Sequence, residues 1–301
     1  MNKISPFLIC VLTTILLFAN TIQTLGQSDT ISTIKSYLTP GKIIASEIGI
    51  YALGMTAVGS AWYSNFEFEN WHWFDDQHEW YQIDKAGHTF STYQIANQSF
   101  KTHIHFGFPH KKALWYSTAI AFVAVSSVEI FDGFAAEWGA SASDLVANGI
   151  GAGVFLAQQL IWDAQPIKLK FSYHPTTLYK QRPDVLGSNH LERLLKDYNA
   201  QQYWISANLR SFIPCSYIPK WLNLAVGYGA YNMISANTRS TNFESGEVPY
   251  RRFFISPDID LEQIKVRSTF LRILLHAVNI IKIPLPTLEF NKKGVKFHPL
   301  Y

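Results

Sequence analysis

The sequence is poor in charge, nearly devoid of cysteine and free of basic runs. Asp, Glu, Lys and Arg make up 16% of its 301 residues, where a soluble domain carries about 25%. Hydrophobic residues reach 48% and aromatics 15%, nine of them Trp. That balance points to membrane contact or to a very apolar helical protein. A formal charge of +3, with no cluster of Lys and Arg, argues against nucleic acid as a partner. The two cysteines are Cys10 and Cys215. Cys10 lies in an apolar leader, so a chain that loses the leader keeps one thiol. One thiol excludes an intramolecular disulfide and a cysteine-based zinc site. No base motif surrounds Cys215, which reads as an inert thiol rather than a nucleophile.

The leader has a positive Lys3, an apolar core from Phe7 to Ala19 and small residues around Gly26. This reads as a secretory signal peptide over residues 1–26; a retained membrane anchor is the alternative. Cys10 follows Phe7, Leu8 and Ile9 and so lacks the small neighbour that a lipid-attachment cysteine needs. A lead-in occupies 27–42. The patterning then predicts a mainly α fold: a four-helix apolar bundle over 43–165, followed by a smaller mixed α+β region over 166–301.

The expected bundle helices are Ile43–Tyr63, Asp84–Phe100, Ala113–Phe131 and Asp144–Trp162. Between the first two runs "NFEFENWHWFDDQHEWY", whose Trp residues suit an interfacial belt or a cap on the open end of a bundle. Its His72, Asp75, Asp76, His78 and Glu79 sit on a loop without recognisable ligand spacing. "GIGAG", Gly149 to Gly153, has no preceding strand and the wrong spacing for a dinucleotide loop. Gly149 and Gly153, four apart, instead predict close approach of another helix. Beyond residue 166, "IKLKFSYH", "QYWISANLR", "WLNLAVGYGAY" and "RRFFISPDIDL" read as strands. "NHLERLLKDY" and "STFLRILLHAVNIIK" read as helices, and the tail as a hairpin around Asn291 to Gly294. Six short strands are fewer than the roughly eight of the smallest usual outer-membrane barrel.

Three polar clusters interrupt the apolar helices. Asp84 and His88 lie one turn apart on one face, with Lys85 turned aside by about 100°. Glu129 and Asp132 close the third helix, where buried carboxylates must pair, bind a cation or take up protons. Asp144 and Asn148 open the fourth, and Ser141 or Ser143 can cap it. Each has an ordinary explanation: a charged first turn for Asp84 and Asp144, a hydrogen-bonded His88, a wet helix end for Glu129 and Asp132. Asn148 is harder to dismiss, because a buried amide needs partners. In an antiparallel bundle the starts of helices two and four and the end of helix three share one end, so the clusters can meet.

"DKAGH" and "VEIFDGFAAEWGASASDLVANGIGA" resemble the YfiM-type family of bacterial domains of unknown function, described as predicted periplasmic lipoproteins. "DDQHEWYQIDKAGH", "LKDYNAQQYWIS" and "PKWLNLAVGYGAYNM" extend the resemblance over most of the mature chain. More distantly, Asp84, Lys85, His88, Glu129, Asp144, Asn148 and Gly151 are similar to a pattern of VanZ-like membrane proteins. Neither resemblance implies a reaction, and the lipid-attachment cysteine expected of a lipoprotein is missing.

Three functions fit. The first is a non-enzymatic envelope protein, membrane-associated, whose polar end is structural or binds a partner. The second is a hydrolase or transferase acting on an envelope lipid or phosphorylated carrier. In it His88 or Glu129 serves as general base and Lys85 stabilises developing negative charge; a divalent metal held by Asp84, His88, Glu129 and Asp132 is a variant. The third is a small-molecule binding or transport accessory. Four spanning helices would place the basic loop 101–112 outside and the acidic loops inside, against the positive-inside tendency. A periplasmic or outer-membrane-associated place in the cell envelope avoids that conflict.

Overall fold

The computed structural model describes residues 40–62, 67–239, 242, 244 and 246–301. The expected signal peptide, Cys10 and residues 27–39 of the lead-in lie outside the described residues. Four long helices come first: α1 (Pro40–Trp62), α2 (Ile83–His105), α3 (His110–Asp132) and α4 (Ala142–Trp162). Then come β1 (Ile167–Tyr173), the short helices α5 (Pro183–Leu186) and α6 (His190–Lys196), β2 (Gln201–Asn208) and α7 (Leu209–Phe212). Strands β3 (Leu222–Tyr231) and β4 (Tyr250–Ile259), helix α8 (Thr269–Val278) and the hairpin β5 (Thr287–Asn291) and β6 (Gly294–His298) complete the chain.

This corrects the expected fold class. Among the described residues, eight helices and a six-stranded antiparallel sheet, 47% helix and 21% strand, make a mixed α+β fold. The protein is not mainly α with a four-helix bundle. The reason lies in α2. Its run of Thr, Gln, Asn and Ser is buried nearly all round, because α2 lies between α3 and α4 on one side and the sheet on the other. Tyr93 donates to the carbonyl of Ile167 at 3.1 Å, and Gln94 donates to that of Leu169. The hydrophobic core accordingly joins Phe90 and Tyr93 to Phe171 and Tyr203 across residue 166. Helix α1 meets the others through polar side chains: Ser99 donates to Glu47 Oε1 at 3.1 Å, His103 Nε2 lies 3.0 Å from Glu47 Oε2, and Tyr51 bonds Ser127.

The glycine expectation is also corrected. Gly149 and Gly153 face open space, and a Cβ added at either would meet nothing within 4 Å, whereas a Cβ on Gly151 would lie 2.2 Å from the carbonyl oxygen of Thr89. Gly151 is the residue that lets α4 approach α2, since it shares the helix face of Ala147 and Asn148.

The strands are ordered β1-β2-β3-β4-β5-β6. Strand β1 and Tyr301, just beyond β6, are both tied to the segment 280–285. Phe171 N donates to Ile280 O at 2.9 Å and Lys282 N to Phe171 O at 2.8 Å, while Tyr301 N donates to Leu285 O at 3.2 Å. The sheet thus curls around an interior, and the outer edge of β1 is covered at Phe171. Gly227 admits the indole of Trp204 to that interior; a Cβ there would lie 2.6 Å from the ring.

Candidate functional site

Chain direction brings the starts of α2 and α4 and the end of α3 to one end of the molecule. Asp84 and Lys85 lie in the first turn of α2. Just before it, Trp80, Tyr81 and Gln82 have φ of 47°, 50° and 59°, the sparsely populated left-handed region for such side chains. The sheet holds this turn. Tyr228 donates its hydroxyl to the carbonyl of Tyr81, and Arg251 Nη2 donates to Gln82 Oε1 at 2.7 Å. At the start of α4, Ser141 is the N-cap: its hydroxyl accepts from Asp144 N at 3.1 Å. Its own backbone N donates to Glu129 Oε2 at 2.8 Å, which fixes the end of α3 against the start of α4.

His88 sits at the centre and is 1% exposed. Its Nδ1 lies 2.9 Å from Asn148 Oδ1. An amide oxygen only accepts, so Nδ1 carries a proton and Nε2 points the other way. Facing Nε2 are Glu129 Oε1 at 3.6 Å, Asp144 Oδ2 at 3.7 Å and Asp84 Oδ2 at 3.9 Å. In each carboxylate the second oxygen is held by a protein donor. Ser141 N holds Glu129 Oε2 at 2.8 Å, Lys85 Nζ holds Asp144 Oδ1 at 2.6 Å, and the Tyr198 hydroxyl holds Asp84 Oδ1 at 2.8 Å. Burial, and then the charge of Asp84 beside it, keep the Tyr198 phenol well above its ordinary range, so Tyr198 stays a donor.

The structure therefore brings Asp84, Lys85, His88, Glu129, Asp144 and Asn148 together. Asp132 stands apart from the His88 face: its Oδ1 accepts from Trp138 Nε1 at 3.0 Å. Lys85 is not turned away. Its long stem carries Nζ back to Asp144 and to Asp76 Oδ2, 2.6 Å from each. Two further members carry no clear sequence signal. Asp76 resembles its loop neighbours, yet it accepts from Ser141 and Ser143 at 2.6 and 2.9 Å; those neighbours go elsewhere, His72 to Glu69 at 3.3 Å and Asp75 to the backbone of Gln77 at 3.1 Å. Tyr198 reaches the cluster from the far side of β1, and no spacing in the sequence announces it.

Ligand atoms of Asp84, His88 and Asp144 lie within 4.8 Å of one another, the group of metal-binding type found among the described residues. A cavity of about 90 Å³ opens beside them, lined by Phe74, Asp76, Trp80, Asp84, Lys85 and Tyr198. Lys85 also borders a larger, mostly apolar groove of about 430 Å³ between α2, α4 and the sheet, with Phe90, Val146, Ile150 and Tyr203 among its walls.

No curated protein and no solved structure matches the chain, and the VanZ-like likeness finds no support. Residues 70–158, which supply the helix-borne members of the cluster, match the family model described as predicted periplasmic lipoprotein (DUF2279), and the protein's place is the cell envelope.

Proposed function

We propose that the protein is a membrane-associated envelope enzyme, a hydrolase or transferase that acts on a phosphorylated or ester-bearing lipid. Its buried centre would hold a divalent cation between His88, Asp84, Asp144 and Glu129. One observation carries this reading: His88 Nε2 faces three carboxylate oxygens at 3.6–3.9 Å. Those distances are too long for direct hydrogen bonds. Three buried carboxylates converge on one side of His88, with Lys85 Nζ also 3.4 Å from Asp84 Oδ2, and this concentration of negative charge would attract a divalent cation. Ligands about 2.0–2.2 Å from a tetrahedral zinc stand roughly 3.3–3.6 Å apart; the distances from Nε2 here, 3.6–3.9 Å, are a few tenths longer, so small side-chain shifts would close the set around an ion. The Asn148 bond to Nδ1 and the donors on the outer carboxylate oxygens act as the outer shell that orients such ligands. A mixed imidazole and carboxylate set suits Zn²⁺ or Mn²⁺ better than Ca²⁺.

The roles of the chain's own residues follow. Lys85, at the junction of cavity and groove, would meet the negative head of an amphiphile while the groove takes its apolar part. Glu129 would accept a proton from the attacking group; His88, with Nδ1 on Asn148 and Nε2 on the cation, would hold the ion instead. Asp144 takes the place of Asp132 in the expected set of Asp84, His88, Glu129 and Asp132, because Asp132 Oδ1 accepts from Trp138.

Elemental analysis of the purified full chain after exposure to Zn²⁺ or Mn²⁺ tests the centre. About one equivalent is expected, falling to background in His88→Ala and Asp144→Asn. A wild-type chain that retains no metal sinks the cation reading. A second reading has its own support: the two 2.6 Å contacts of Lys85 brace Asp76 to Asp144, and a structural or partner-binding centre needs nothing more. Intact metal-free folding with unchanged phenotype in His88→Ala would favour it.

A further inference from the structure

The interior of the sheet holds buried ion pairs beside an apolar cluster of Trp204, Ala225, Phe254 and Tyr301. On the curled interior, Lys170 and Asp258 are fully buried and 2.7 Å apart. Lys168 meets Asp260 at 2.7 Å, and Arg252 meets Glu289 at 2.8 Å. The middle of the outer face is apolar. A single ladder of directly paired residues, Ile205, Val226, Ile255, Leu288 and Phe297, crosses β2 to β6. All five are exposed, from 41% to 60%. A water-soluble sheet puts its apolar face inward; apolar out with polar in is the pattern of a wall against lipid.

Two of the helices are apolar on both their buried and their exposed faces. Helices α3 and α4 are each long and apolar enough to cross a membrane. Their buried faces mix Leu114, Val125, Val128 and Phe155 with Ser117, Glu129, Asp144 and Gln158, while Val123, Ile130, Val146 and Ile150 are exposed. The apolar surface runs from these helices onto the sheet through the groove shared by Ile150 and Ile205.

Two aromatic levels bound this surface. At the end away from His88 stand exposed Trp115, Trp162, Phe212, Tyr217 and Trp221; the Trp162 and Phe212 rings lie 6.0 Å apart and join helices to sheet. At the His88 end stand Trp71 and Trp73, 4.9 Å apart, then Tyr81 and Tyr250 under the cations of Arg251 and Lys292, each 5.0 Å from the ring below it. Aromatic rings at two levels, with basic side chains reaching outward, mark membrane interfaces. The outward residues of β3 from Leu222 to Tyr228 span about 20 Å at strand rise, most of the ~25 Å apolar band of membrane barrels. Helix α8 lies near the first level and exposes Leu271, Leu274 and Val278 on one face, as a helix lying in the interface does.

We infer that the outer face of the β2–β6 sheet is seated in bilayer hydrocarbon, continuous with the exposed faces of α3 and α4, so that sheet and helices share one membrane band. This goes beyond the cation centre and stands or falls without it. It also places the His88 centre beside one interface, at the level of lipid headgroups.

The full chain, with Cys10→Ser and Cys215→Ser, would carry a nitroxide at Val226→Cys, Ile255→Cys or, as the aqueous reference, Asp184→Cys. Each is reconstituted in phosphatidylcholine–phosphatidylglycerol vesicles, and collisions with oxygen and with a water-soluble nickel chelate are measured. The expected result at 226 and 255 is strong oxygen relaxation with nickel collisions at least tenfold below those at 184. Nickel access equal to that at 184 places the face in water and overturns the inference. Exclusion of both reagents at 226 and 255 means a second protein copy covers the face, and overturns it equally.

Discussion

Replacing Lys85 by Met tests how the buried charge is held. The ammonium lies 2.6 Å from Asp76 Oδ2 and from Asp144 Oδ1, and 3.4 Å from Asp84 Oδ2. All three acids are buried, at 2%, 0% and 5% exposure. At an effective dielectric of about 20, each 2.6 Å pair is worth roughly 6 kcal/mol before desolvation is charged against it. What matters on mutation is the other side of that balance. Met restores the stem's packing but leaves two buried carboxylates facing no ammonium, and breaking a buried pair from one side costs about 3–5 kcal/mol. Lys85→Met is therefore expected to lose about 3–5 kcal/mol in denaturant unfolding of the detergent-solubilised full chain, measured with chelator present. Adding Asp144→Asn removes one of the stranded charges and is expected to recover more than 1 kcal/mol. A loss below about 1 kcal/mol for the single variant, the range of an exposed ion pair, would refute the argument that Lys85 neutralises the centre.

Three further outcomes follow from the same geometry. Tyr198→Phe removes the donor to Asp84 Oδ1 and is expected to cost about 1.5–3 kcal/mol, the worth of a hydrogen bond to a charged group; because the phenol's ionisation lies well above its ordinary range, the loss should be equal at pH 6 and pH 9, and a loss that vanishes at pH 9 contradicts this. Gly151→Ala drives a Cβ into the Thr89 carbonyl and should destabilise by about 1–3 kcal/mol, whereas Gly149→Ala and Gly153→Ala, which meet nothing, should be neutral or gain up to about 1 kcal/mol from helix propensity; thermal unfolding of the three side by side decides it. Asp132→Asn should leave Zn²⁺ affinity within about twofold in a competition titration, because Asp132 serves Trp138, while a loss matching that of Asp144→Asn would return Asp132 to the ligand set.

Local pattern carries much of this structure. The long helices and all six strands are readable because each has its own period, apolar runs for α1, α3 and α4 and alternation for the strands. The meeting of three clusters is readable because antiparallel connectivity alone fixes which helix ends are neighbours. What stays hidden depends on contacts between distant segments. Thr89, Gln94 and Asn97 read as a poorly apolar helix face, and nothing local reveals that β1 supplies carbonyls to Gln94 and Tyr93. Asp76 carries no periodic signal, and Tyr198 lies 114 residues from the carboxylate it serves. The apolar outer face of the sheet is present in the sequence as alternation, but alternation does not say which face is inside; that choice becomes visible only when Lys170 is found buried and Val226 exposed.

The sheet and the charged centre are coupled through the turn at 80–82. Three consecutive left-handed side-chain-bearing residues are costly, of order 1–3 kcal/mol each, and such a turn persists only if its surroundings impose it. The restraints come from the sheet: Tyr228 on β3 bonds the Tyr81 carbonyl, Arg251 on β4 bonds Gln82, and Pro249 accepts from the Tyr81 hydroxyl at 3.2 Å. Releasing them would let residues 80–82 relax, and Asp84 and Lys85, one turn further on, would lose their alignment with Asp144 and Asp76. The C-terminal region is thus more than a platform beside the helices, because it holds the first turn of α2 in place. Arg251→Ala, remote from His88 and touching none of its partners, should therefore weaken Zn²⁺ binding by about the same factor as it weakens the turn. If affinity in Arg251→Ala equals wild type while protease access at Tyr81 rises, the turn and the centre are independent and this coupling is wrong.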